Sequence, residues 1–157
     1  MPDMLVKLYD LPEQETLKRQ LAASGIKIVR ALAPQKHLVT EWVRTKFQRQ
    51  WADECEVTYS RVPVSTFIAV HNGEIVGFAC YDSICKGYFG PTGVDESMRG
   101  KGVGKALMLA CLHAMAAEGY GYAVIGAAGP VDFYKKTVGA IEIPDSSPGI
   151  YGAMIGR

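Results

Sequence analysis

The chain has almost no excess of either charge: 17 Lys and Arg stand against 16 Asp and Glu, a formal net charge of +1. No net field therefore draws it to nucleic acid or to an anionic membrane, and neither is expected as a partner. Cysteine is sparse. Cys55, Cys80, Cys85 and Cys111 show neither the CxxC pairs of a zinc site nor the density of a disulfide scaffold. They read as reduced, mostly buried thiols, and no metal is expected. Long apolar runs are missing too: the longest, Ala106 to Leu112, is far too short to span a bilayer. Lys7, Asp10, Glu13 and Glu15 interrupt the N-terminus where a signal peptide would need a continuous apolar stretch, so the expected location is cytoplasmic. His37, His71 and His113 have no sequence neighbours that suggest a triad or a metal site. There is no internal repeat and no low-complexity tract.

What is present is a chain of 157 residues, 48% apolar and 21% charged, the composition and size of one folded domain with one core. Residues 4–9 have strand composition, and Asp10 offers an N-cap for a helix running from Pro12 towards Gly25. This segment, 1–25, is expected to be an accessory to a core spanning 26–157. Ile26 to Leu32 reads as a strand. Pro34 then opens a helix with Leu38, Val39, Trp42, Val43 and Phe47 on one face. Residues 48–61 fit a short helix or an ordered loop equally well. The clearest local signal is Ser65 to Tyr81, where two strand-like runs flank Asn72-Gly73, a type I′ hairpin turn. Lys86 to Asp95 predicts a bulged or splayed strand, because Gly87, Gly90, Pro91 and Gly93 are poor residues for an unbroken ladder.

Gly102 to Glu118 is apolar around most of its circumference, which predicts a largely buried helix. Tyr122 to Ala127 follows as a strand and Val131 to Val138 as a helix with Phe133 inward. Ala140 to Ile143 and Tyr151 to Ile155 are further strand candidates. The sum is a mixed α/β unit.

Between the splayed strand and the buried helix lies Arg99-Gly100-Lys101-Gly102-Val103-Gly104-Lys105. The first N–H groups of a helix lack intrahelical partners, and the aligned peptide dipoles add positive potential there. Glycines allow close approach. Arg99, Lys101 and Lys105 crowd the same helix end, where cations are unfavourable unless an anion joins them. The spacing fails the P-loop pattern, which needs GxxxxGK and then Ser or Thr. GxGxG after a hairpin also fits poorly with the GxGxxG of a dinucleotide-binding oxidoreductase.

Val94-Asp95, three residues, and then Arg99-Gly100-Lys101-Gly102-Val103-Gly104 resemble the signature Arg/Gln-x-x-Gly-x-Gly/Ala of the GCN5-related N-acetyltransferases, and residues 26–155 follow that family's order of elements. The resemblance implies a mostly antiparallel central sheet with a splayed strand, flanked by helices, and acetyl-CoA as co-substrate. It also implies backbone contacts from Val94 to the pantetheine arm and pyrophosphate held by Arg99, Gly100, Lys101, Gly102, Val103 and Gly104, with Lys105 alongside and Phe133 among the cofactor contacts. Tyr134 matches the tyrosine that assists departure of the thiolate. The implied reaction is direct attack by an amine on the thioester, without an acyl-enzyme, the acceptor being a small-molecule or peptide amine. Members of the family often pair, so a homodimer is among the implied assemblies.

Two features depart from the family pattern: Ala127 and Pro130 stand where Asn and Ala are usual, and Gly139 lies one residue later than usual. Ala127 and the lack of an identifiable base leave open a second class of function, an acyl-CoA-binding sensor or interaction domain without catalysis. Glu41, Asp53, Glu54 and Glu56 all lie in the region bordering the acceptor, and the sequence does not choose a base among them. Trp42, Trp51, Tyr81 and Tyr88 fit either an acceptor pocket or ordinary core filling.

Overall fold

A computed structural model describes residues 1–156. Seven strands form one open sheet in the order β2-β3-β4-β5-β6-β1-β7. They are β1 (Met4–Lys7), β2 (Ile26–Arg30), β3 (Thr66–His71), β4 (Glu74–Tyr81), β5 (Tyr88–Val94), β6 (Tyr122–Ile125) and β7 (Ile141–Glu142). Five helices accompany them: α1 (Glu15–Ala23), α2 (Lys36–Lys46), α3 (Arg49–Val57), α4 (Val103–Ala117) and α5 (Val131–Val138). Every strand pair is antiparallel except β5 with β6.

Strand alternation divides the core between the two faces of the sheet. Ile68, Phe78 and Cys80 point to one side, where they meet Val39 and Val43 of α2 and Ala52 and Cys55 of α3. Ala69, Ala79 and Tyr81 point to the other, against α4. Nine residues of α4 are buried, which is why its sequence shows so little amphipathic contrast.

The β3–β4 hairpin forms as its turn predicts, with Asn72 at φ 52° and Gly73 at φ 75°. The bulge expected near Gly90 is present as a register shift in β4–β5 between Ala79 and Tyr81. Residues 48–61, which the sequence left open, contain α3 followed by a 3₁₀ turn at Thr58–Ser60. Their charged residues surround a short buried stripe of Ala52 and Cys55.

Several local expectations fail for identifiable reasons. Asp10 ends a 3₁₀ turn instead of capping α1, and a Glu13 carboxylate oxygen takes the Thr16 N–H at 3.1 Å. The first strand is no outlying accessory: β1 lies between β6 and β7, with Met4 and Val6 fully buried. Leu38 is 61% exposed because the buried stripe of α2 runs through Val39, Thr40 and Val43. Phe133 points outward, since α5 is short and buries the i, i+4 pair Tyr134 and Val138. Residues 151–155 form no strand. Pro148, Gly149 and Gly152 favour a compact path, and a 3₁₀ turn occupies Gly149–Tyr151.

Gly93 is a contact glycine. A Cβ there would stand 2.7 Å from Cε1 of Phe47, whose ring packs against Trp42, Trp51 and Phe78. Gly93→Ala is expected to destabilise the fold by about 1–3 kcal/mol, read as a lower denaturation midpoint in urea. An unchanged midpoint would show that this aromatic cluster yields.

Candidate active site

The splay in the sheet follows from the pairing of β5. Towards β4, the Asp95 N–H donates to the Val76 carbonyl at 2.9 Å, and Val94 lies opposite Gly77. In an antiparallel ladder such hydrogen-bonded pairs alternate, so the N–H and C=O of Thr92 and Val94 project to the other edge. On that edge β6 pairs only with Tyr88 and Phe89, opposite Val124 and Ile125. Past Phe89 the two strands part, which leaves the Thr92 and Val94 backbone groups aimed into a gap. The Arg99 side chain reaches back and donates to the Val94 carbonyl at 3.3 Å.

The glycine turn follows the end of β5. Asp95 accepts from the Ser97 N–H at 3.2 Å and pairs with Lys46 of α2 at 3.0 Å. These Ser97 and Lys46 contacts hold its carboxyl down to about 2. Gly100 (φ 80°) and Gly102 (φ 90°) take the left-handed conformation that makes the tight entry into α4. The first intrahelical bond is Ala106 N–H to the Gly102 carbonyl, so the N–H groups of Val103, Gly104 and Lys105 have no helical acceptor. Lys101 and Lys105 are exposed beside them. Val94 thus ends β5, and the run from Arg99 to Lys105 forms the turn and the first residues of α4.

A cavity of about 640 Å³ opens along the parted edge of β5. Phe89, Gly90, Pro91 and Thr92 line it from β5, and residues 125–130 from the end of β6 and the turn into α5. Tyr134 of α5 also lines it. Burial alone pushes the Tyr134 hydroxyl pKa upward, so this group stays protonated well into alkaline solution. The turn beneath is fixed from the N-terminal strand. Asp3 accepts the Ala127 N–H at 2.8 Å, and Ala127 is held at φ 46°. Phe133, the other half of the aromatic pair, does not line the cavity; its ring is 41% exposed and meets Tyr134 edge-on.

The rest of the cavity wall comes from Met1, Ile84, α3 with its N-cap (Gln48, Gln50, Trp51 and Glu54) and the C-terminal tail (Tyr151 and Met154). Of the four acidic candidates only Glu54 faces the cavity. Glu41 pairs with Arg44 at 2.7 Å, Glu56 with Lys36 at 3.1 Å, and Asp53 is exposed. Desolvation raises the Glu54 pKa. Among the four aromatic candidates Trp51 lines the cavity, and Tyr88 packs beneath it against Gly126. Trp42 belongs to the aromatic cluster around Phe47 and Phe78. Tyr81 belongs to a separate polar network, where it accepts from Arg30 at 2.9 Å and donates to Glu118 at 2.5 Å.

Tyr151 escaped the sequence reading because its segment looked like a strand. Its hydroxyl lies against Gly126, with no room for a Cβ there, and burial together with Glu54 and Asp3 pushes its pKa up to about 12. His71 contacts the Gly25 carbonyl at 3.1 Å and His113 the Pro12 carbonyl at 2.8 Å, both away from the cavity, and His37 is exposed.

Residues 33–140 match the family model described as the acetyltransferase (GNAT) family. Solved structures share the fold. A GCN5-related glucosamine N-acetyltransferase region of a fungal multi-domain β-N-acetylglucosaminidase superposes with TM-score 0.73 at 12% identity, covering 90% of this chain and 19% of that one. A GCN5-related N-acetyltransferase from Sphaerobacter thermophilus gives 0.64 at 19% identity, covering 90% and 48%. The chain thus spans about half or less of the length of these two proteins. A GNAT family acetyltransferase from Brucella melitensis, solved in complex with acetyl-CoA, gives 0.57 at 14% identity, covering 71% of this chain and 80% of that one. No curated protein matches the chain.

Proposed function

Because the chain belongs to the acetyltransferase (GNAT) family, we propose that it transfers an acetyl group from acetyl-CoA to a primary amine, acting as one domain from β1 to the tail. The observation that carries this reading is the parted edge of β5. It offers the Thr92 and Val94 backbone groups beside a cavity that contains Tyr134, and it leads directly into the glycine turn. An extended pantetheine arm has the donor and acceptor spacing to replace the missing strand pairing. The pyrophosphate then meets the unpaired N–H groups at the start of α4, and Arg99, Lys101 and Lys105 neutralise it. The exposed Phe133 ring supports a cofactor contact rather than a core role.

In the reaction a neutral amine nitrogen attacks the thioester carbon, the C–N bond forms and the C–S bond breaks. A β5 backbone N–H near Val94 stabilises charge on the carbonyl oxygen. The departing thiolate takes a hydrogen bond from Tyr134, which keeps its proton, and the N–H proton lost by the adduct returns to solvent. Acetyl-CoA binding followed by thiol release on addition of primary amines tests this. Binding without turnover of any amine would instead support the non-catalytic sensor, a reading for which Ala127 leaves room.

A further inference from the structure

Among the described residues that line the cavity, Glu54 has the one charged side chain, and the N-terminal residue Met1 lines it as well. Glu54 is half-buried, and none of the ion pairs among the described residues includes it, whereas Glu56 on the same helix and Glu41 on α2 both have cationic partners. A carboxylate that loses water without gaining a counter-ion is costly, and a cation entering the cavity removes that cost. Its surroundings are otherwise apolar or neutral: Trp51 one helical turn away, Ile84, Tyr151 and Met154. The Glu54 and Asp3 carboxylates both act on the Tyr151 hydroxyl at this end of the cavity. Aromatic faces such as Trp51 favour a nearby cation as well.

Resting on the acetyltransferase reading, we propose that the acceptor is a primary amine, cationic in solution, on an aromatic or alkyl body with no carboxylate beside the nitrogen, and that Glu54 binds its ammonium and takes its proton. The ammonium gives one proton to the Glu54 carboxylate, and the neutral nitrogen then forms the C–N bond as described above. Glu54 returns its proton to solvent after the product leaves. An α-carboxylate on the acceptor would be brought into the same poorly solvated space as the Glu54 carboxylate and be repelled. Trp51, Ile84, Tyr151 and Met154 provide apolar surface for the body of the molecule.

Phenethylamine and phenylalanine differ only by that carboxylate and form the test pair. With acetyl-CoA, the wild-type protein is expected to acetylate phenethylamine with kcat/KM at least tenfold above that for phenylalanine. Glu54→Gln, nearly isosteric, should lower kcat/KM for phenethylamine at least tenfold, narrow the preference and leave acetyl-CoA affinity by calorimetry unchanged. Calorimetric binding of N,N-dimethylphenethylamine, a cation that yields no stable amide, should weaken in the same variant. Acetyl-CoA binding with neither amine acetylated, equal use of both, or an unaffected Glu54→Gln would overturn the acceptor assignment while leaving the parent reading in place. A wild-type protein that does not bind acetyl-CoA would overturn both.

Discussion

Tyr134→Phe is expected to lower kcat by about 10²-fold, equivalent to about 2.7 kcal/mol of transition-state stabilisation, with acetyl-CoA affinity nearly unchanged. The change removes one hydroxyl from a side chain that is 7% exposed and leaves its packing with Val138 in place. The fold should therefore survive, and a matching denaturation midpoint would confirm it. A free tyrosine has a pKa about 1.5 above that of a thiol, so complete proton transfer to the departing thiolate already runs uphill. Burial raises the Tyr134 value further, and the hydroxyl then acts mainly as a neutral hydrogen-bond donor to the thiolate. The sign of the pH effect follows: since the pKa is raised, loss of this proton cannot limit turnover below about pH 10, the ordinary tyrosine value. Steady-state kcat measured from pH 7 to 10 in wild type and variant checks both statements. Equal turnover in the two proteins would remove Tyr134 from the chemistry.

Much of the fold was legible because its strongest signals are local. Asn72-Gly73 dictates a hairpin through backbone conformation alone, and the all-round apolar helix after Gly102 has no place except across the sheet. The glycine turn was readable for the same reason, since its chemistry resides in backbone N–H groups. What stayed hidden depends on distant partners. Residues 4–7 look like any short strand, and only their pairing with both β6 and β7 makes them interior. The orientation of α5 turns on which of two adjacent aromatic residues faces the sheet, a choice made by Val138 one turn later. Glu54 could not be separated from Glu41, Asp53 and Glu56 without the ion pairs that remove two of them and the exposure that removes the third. Tyr151 reaches the cavity only because Gly126 leaves space for its hydroxyl.

The largest effect on binding is expected at Gly104, the second residue of α4. A Cβ there would stand 3.6 Å from Val94 Cγ2, an ordinary contact, and glycine is the poorer helix former, so a larger residue need not disturb the turn. Its side chain would stand among the free N–H groups of Val103, Gly104 and Lys105, where the pyrophosphate has to approach closely. Gly104→Val is accordingly expected to weaken acetyl-CoA binding by at least 10²-fold, or about 2.7 kcal/mol, with little change in denaturation midpoint. Calorimetric titration of acetyl-CoA into the wild-type protein and Gly104→Val tests the central claim most directly. Saturable one-to-one binding that collapses in the variant is the predicted result, and a wild-type protein that takes up no acetyl-CoA, or a variant that binds it equally well, would contradict it.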